Sequence, residues 1–153
     1  MALTLLGADG NLRLHTRLLH PRQFVPIAGT ENAHGPFFSS AGDGIGFFAD
    51  GKLKKIAVEG CAAIPRGDVP SGGGGSWGDD GNIIASLNSF TVLSRVPAAG
   101  GTPVPVTKLV AGEGTQGRPQ VLPGGQMVLF HCFRREGCSS RRRDHRTHLA
   151  ADR

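Results

Sequence analysis

Ser76 stands in Gly74-Gly75-Ser76-Trp77-Gly78. This is the spacing of a nucleophile elbow, in which a serine hydroxyl held on a sharp turn attacks an acyl carbon. That chemistry needs a strand before the serine and a helix after it. Here a glycine run precedes it and Asp79-Asp80-Gly81-Asn82 follows, which is hairpin chemistry, so Ser76 is read as part of a short strand entered from a flexible linker. The overlapping run Gly73-Gly74-Gly75-Ser76-Trp77-Gly78 has the glycine spacing of a dinucleotide loop. Such a loop works by opening a helix whose N-terminus faces the pyrophosphate, and no helix-period segment follows. No Gly-Lys-Ser/Thr ending turns it into a triphosphate loop either, and the run reads as a flexible linker. The strand lysine, catalytic-loop aspartate and metal-binding aspartate of a kinase are missing from the chain as motifs. The expectation is a chain with no catalytic residue and no cofactor-binding residue.

A second cluster of reactive side chains lies near the end of the chain. Cys132, Cys138, His145 and His148 are four potential zinc ligands, but their gaps do not follow the paired spacing of a structural zinc site, so no metal is expected. Arg141-Arg142-Arg143 can hold phosphates without sequence preference. No interleaved aromatic platform accompanies it beyond Phe133, which leaves single-strand recognition poorly supported. From His131 to Arg153 there are seven arginines against Glu136, Asp144 and Asp152, a net of +4. The whole chain carries +5, so everything before it is almost neutral. A nucleic-acid partner is therefore not expected, and the only route to one is through this tail.

The elements that would position these groups are short. Glycine (24) and proline (10) fill more than a fifth of the 153 residues, which leaves little room for long helices. A hydrophobic share of 39% argues against a wholly disordered polymer. No apolar run approaches the ~20 residues of a membrane-spanning helix. Met1-Ala2-Leu3-Thr4-Leu5-Leu6 lacks the charged start of a signal peptide. A complete chain would therefore be cytoplasmic, and one derived from a membrane-anchored protein extracytoplasmic.

Three segments line up as a repeat: Pro36–Phe48, Ser76–Ala85 and Pro119–Phe130. Each has an apolar residue (Phe38, Trp77, Val121), a polar or proline turn, a glycine and a short apolar strand. The turn glycines Gly42, Gly81 and Gly125 are 39 and 44 residues apart. Asp50-Gly51 signals a hairpin, followed by an alternating strand over Lys52–Val58 and a short fourth segment at Ala62-Ala63-Ile64. The second unit mirrors it with Phe90–Val96 and Pro103–Leu109. The start fits the same template entered midway, with strands over Ala2–Leu6, Leu12–Leu18 and Gln23–Ile27. Four short strands per unit describe a blade of a β-propeller. The predicted fold is all-β: a propeller fragment of four-stranded antiparallel blades (a partial blade, two full ones, a partial one) with a disordered basic tail. Its blade breaks fall near residues 35, 75 and 117. Phe37, Phe38, Phe47, Phe48 and Trp77 are read as packing between blades, Asp43, Asp79 and Asp80 as turn caps, and Cys61 as a small apolar residue.

Pro36–Lys55, Ala98-Ala99-Gly100-Gly101-Thr102-Pro103 and Arg118–Gly125 resemble the TolB-like, WD-repeat-like propeller family. They are most similar to the propellers carried at the C-terminus of many bacterial serine/threonine protein kinases. The resemblance covers about residues 2–130. It departs at Ser40-Ala41-Gly42, where the family has Ser-Pro-Asp-Gly. Beyond Phe130, residues 131–153 break the repeat in the way a shifted reading frame would. The resemblance implies a non-catalytic sensor or scaffold that takes a protein partner or small ligand on a propeller face. The alternatives are an accessory propeller piece of a prolyl-oligopeptidase-type serine peptidase and nucleic-acid binding through the tail. Fewer than three full blades would leave apolar faces open and favour self-association.

Overall fold

One turn design recurs along the chain. At Ser39–Gly42 the Gly42 N–H donates to the Ser39 carbonyl (2.9 Å), and the Ser39 N–H donates to Gly44 (2.8 Å). The same pair of bonds closes Gly78–Gly81 and Leu122–Gly125. The third residue after the turn start must sit in the left-handed region, where Gly42, Gly81 and Gly125 have φ of 76°, 76° and 71°, and only glycine enters at little cost. Asp50-Gly51 is a two-residue hairpin with both φ positive (53° and 69°), as its sequence predicts.

These turns fold a computed structural model that describes residues 1–17, 23–89, 91–134 and 146–151, with Arg134 and 146–151 as backbone only. The described residues form fourteen strands in four antiparallel sheets and contain no helix. The first sheet holds β1 (Ala2–Leu6), β2 (Leu12–Arg17) and β3 (Phe24–Pro26). The second holds β4 (His34–Phe38), β5 (Gly44–Ala49), β6 (Lys52–Ala57) and β7 (Ile64–Asp68). The third holds β8 (Gly75–Trp77), β9 (Asn82–Ser86), β10 (Leu93–Pro97) and β11 (Val104–Pro105). The fourth holds β12 (Glu113–Val121), β13 (Met127–Arg134) and β14 (Arg146–Ala151). All four are meanders in which neighbours in sequence are neighbours in the sheet.

The sheets stack face to face because β5 and β9 are apolar on both faces. In β5, Ile45, Phe47 and Ala49 join Leu14 and Ile27 of the first sheet in one core, while Phe48 points the other way and packs with Leu53, Ile83, Ala85 and Val96. In β9, Ile83 and Ala85 serve that second core, and Ile84 turns to a third with Leu93, Phe130 and Cys132. Alternation of side chains across a strand makes this two-sided arrangement possible. A buried hydroxyl pins the first interface: Thr30 Oγ1 donates to the Ile27 carbonyl (2.6 Å) and accepts from Leu14 N–H (3.0 Å).

Aromatic rings lie on glycines where the sheets meet. A Cβ on Gly72 would come within 2.6 Å of the Phe48 ring, and one on Gly75 within 2.5 Å of Phe37. Gly46 lies under the same Phe37 ring, and Gly44 under Trp77. Gly73 accepts the Arg118 N–H (2.8 Å) through its carbonyl. The run expected to be a flexible linker is therefore a packed seam, in which rings of the second sheet exclude side chains at Gly72 and Gly75 while Ser86 and the Arg118 backbone crowd Gly73 and Gly74.

Three sequence expectations shift. Phe47 and Phe48 are buried and Phe37 and Trp77 pack against the second core, but Phe38 is exposed, because alternation turns it away from the neighbour that Phe37 meets. Cys61 is exposed, since it lies in the turn region before β7 rather than in a strand. The repeat, expected to stop at Phe130, continues: β13 runs to Arg134, and Arg146–Ala151 pairs antiparallel with Met127–Cys132. The rest of the tail, 135–145 with 152 and 153, lies outside the described residues.

Candidate functional site

Ser76 sits in β8, the first strand of the third sheet, and its Oγ accepts a hydrogen bond from the Val121 N–H of β12 (3.0 Å). The hydroxyl thus joins two sheets. A strand precedes no helix here: β8 turns through Gly78–Gly81 into β9. The geometry puts the Gly-x-Ser-x-Gly spacing inside a hairpin, where the serine satisfies a backbone donor of the adjacent sheet.

The turn aspartates do what short carboxylates do beside free backbone donors. Asp80 accepts both the backbone N–H (2.9 Å) and the side-chain amide (2.7 Å) of Asn82. The Asn82 side chain is the main cause that holds the Asp80 carboxyl below its ordinary value. Asp9 repeats the arrangement with Asn11 and adds Arg13 at 2.6 Å. The Arg13 hydrogen bond, then the backbone and side-chain amides of Asn11, push its carboxyl far down. Asp43 accepts the Ser39 hydroxyl at 2.7 Å. By topology the turns at 39–42, 78–81 and 122–125 share one end of their sheets, presenting Asp43, Asp79 and Asp80 there.

Of the four potential zinc ligands, Cys132 is buried in the third core and His148 is a β14 position in register with Phe130. Cys138 and His145 lie outside the described residues, as does Arg141-Arg142-Arg143. Among the described residues no group of three or more His, Cys, Asp or Glu is placed to hold a metal ion.

One polar knot had no signal in the sequence. Gln116 is 2% exposed, yet its amide is fully used: Nε2 donates to the Lys108 carbonyl (3.1 Å) and Glu113 Oε2 (3.2 Å), and Oε1 accepts from Thr107. Thr107 Oγ1 in turn accepts the Leu93 N–H at 2.9 Å. These bonds tie the segment 107–113 to β10 and β12, replacing strand pairing where β11 is only two residues long. A glutamine between two glycine-rich stretches carries no pattern that marks it for burial.

No protein-family model matches the chain, and no curated protein does. Solved structures do. The β-propeller domain of the Trilobed protease from Pyrococcus furiosus, described as having an open velcro topology, superposes with a TM-score of 0.58 at 11% identity. The match covers 85% of this chain and 43% of that one. The chain has a β-propeller fold. A luciferin-regenerating enzyme gives a TM-score of 0.50 at 12% identity, over 86% of this chain and 43% of its own. The propeller described here thus spans less than half the length of either neighbour. Its sheets are the blades, and β4, β8 and β12 are the first strands of three of them.

Proposed function

We propose that the chain is a non-catalytic propeller module that holds a protein partner or small ligand against the turns at one end of its blades. The similarity of Pro36–Lys55 to the propellers of bacterial serine/threonine kinases supports a sensor or scaffold role beside such an enzyme. The observation that carries the reading is the engagement of Ser76, the one serine with nucleophile spacing, by the Val121 amide. A hydroxyl used to close a blade interface is a structural group. A second reading, an accessory piece of a peptidase propeller, draws on the likeness to the Trilobed protease domain.

Ser76→Ala tests the first point. It should lower stability by ~1 kcal/mol in urea unfolding, the usual net worth of one hydrogen bond, and leave hydrolysis of p-nitrophenyl acetate at the level of the unaltered chain. Ester turnover that disappears in Ser76→Ala would sink the non-catalytic reading. Adjoining coding sequence separates the two associations: a kinase catalytic domain supports the sensor, a hydrolase domain the peptidase piece.

A further inference from the structure

Strand register shows which residues are equivalent in the blades begun by β4, β8 and β12. His34 pairs with Phe48 and Phe37 with Gly46, while Gly117 pairs with His131 and Gln120 with Leu129. Between them, Ser76 pairs with Ile84, and the Gly73 N–H donates to the Ser86 carbonyl. His34-Gly35, Gly73-Gly74 and Gly117-Arg118 therefore stand at one level of the three blades. The first strands adjoin one another, Phe37 of β4 lying over Gly75 and Ser76 bonded to Val121. They line the axis about which propeller blades are arranged.

The second residue of each pair has a positive φ, 58° at Gly35, 105° at Gly74 and 51° at Arg118. Two blades use glycine there, and the third uses arginine, which enters this region only at a cost. Pro119 adds to that cost, because a residue before proline is pressed toward extended conformations. The surroundings hold the backbone in place. The Arg118 N–H donates to the Gly73 carbonyl at 2.8 Å, and a Cβ on Gly74 would lie 3.1 Å from the Arg118 Cα. Arg118 also lies in the register shift between Gly117 and Gln120, and such bulges re-aim a side chain.

The side chain so aimed is exposed. Arg13 engages Asp9 and Glu31, Arg17 the Phe24 ring and Arg66 the Ala99 carbonyl, and Arg95 is engaged too. The Arg118 guanidinium has no such partner among the described residues. Carboxylates flanking these strands are already taken, Glu31 by Arg13, Asp50 by Lys54 and Glu113 by the Gln116 amide. Four of the six residues at this level are glycine and add no side chain to fill the space. The other side chain is His34, exposed, with its ring 5.7 Å from that of Phe48.

We propose that Arg118 anchors an oxyanion site on the propeller axis, taking a small molecule by its phosphate or carboxylate group. A guanidinium presents parallel N–H donors that match either group, and strained backbone persists where a side chain serves a ligand. By topology the site lies at the other end of the first strands from the turns that carry Asp43, Asp79 and Asp80. It is therefore independent of any partner held on those turns.

The test is isothermal titration calorimetry with inorganic phosphate and, separately, succinate, at an ionic strength held constant with chloride. The unaltered chain should bind at least one of the two. Arg118→Gly gives this blade the residue its neighbours have. It should keep a thermal midpoint no lower than that of the unaltered chain in phosphate-free buffer, and bind at least about tenfold more weakly. Arg118→Lys, which keeps the charge and loses the fork, should fall between them. Binding of phosphate alone assigns a phosphate ester as ligand, of succinate alone a carboxylate, and of both an oxyanion of either kind. No binding of either anion, or equal affinity in Arg118→Gly, overturns the proposal. A lowered midpoint in Arg118→Gly overturns it as well, since the arginine would then be a support of the fold.

Discussion

Of the described glycines, Gly46 is the one where an added Cβ would come closest to a neighbour, 2.3 Å from the Phe37 ring. A methyl on Gly46 has to displace the ring, and Phe37 is also held over Gly75 and against Phe48, with ring centroids 6.1 Å apart. Gly46→Ala should therefore destabilise the fold by about 1–3 kcal/mol, the range for overpacking a well-filled site. Phe37→Leu in the same chain should recover part of that loss, since neighbours that share a contact are not additive. Urea unfolding of the two single variants and the double variant measures this coupling. Additive losses would show that the ring and the glycine do not share a contact. The sequence displayed these residues but not their pairing. Gly72–Gly75 looks the same whether it swings freely or lies under rings, because glycine has no side chain to record its neighbour.

At the scale of strands and turns, electrostatics is confined to the loop ends. Asp9, Asp50 and Asp68 are held below the ordinary carboxylate value chiefly by hydrogen bonds from Arg13, Lys54 and Lys52 respectively. A carboxyl whose folded value is depressed contributes stability above its unfolded value of about 3.9, and loses that contribution as pH falls through the lower folded value. Thermal midpoints should thus be flat near neutrality and fall below about pH 4, and Asp9→Asn should have a shallower fall than the unaltered chain. An identical acid profile for the variant would show that Asp9 plays no part. All three carboxylates are open to solvent, so added salt should weaken the effect. These turns are what the sequence spells most clearly, because a left-handed residue needs glycine and a hairpin needs Asp-Gly. The strands between them follow by alternation, and β1, β2 and β6 begin where the pattern places them. Strand length is less legible: β11 shrinks to Val104–Pro105, because proline offers no N–H for pairing and the Gln116 knot takes over the bonding.

Across the whole molecule, stability is unequal by position. Among the described residues, the second and third blades have both faces covered and the first and fourth have one. Repeats that touch only their neighbours lose protection from the ends inward. Amide exchange in dilute solution should therefore be slowest in 45–49 and 83–86 and faster in 2–6 and 127–133, measured by mass spectrometry of peptides. Uniform protection would point to one cooperative block. The blade order was readable from the spacing of Gly42, Gly81 and Gly125, which fixes where each unit turns. What lay beyond Phe130 was not, since His131, Arg134 and Arg146–His148 interrupt the apolar pattern in β13 and β14, whose backbones nonetheless pair.

The two-sided second strands also govern how such a chain can change length over generations. Inserting one residue in β9 would exchange Ile83 and Ala85 with Ile84 and Ser86, breaking two interfaces with one codon. The same insertion at Gly100–Gly101 or Glu59–Gly60 alters only a turn. Natural variation in length, and any epitope or reporter grafted into the chain, is expected to be accepted at the turns and rejected within β5 and β9.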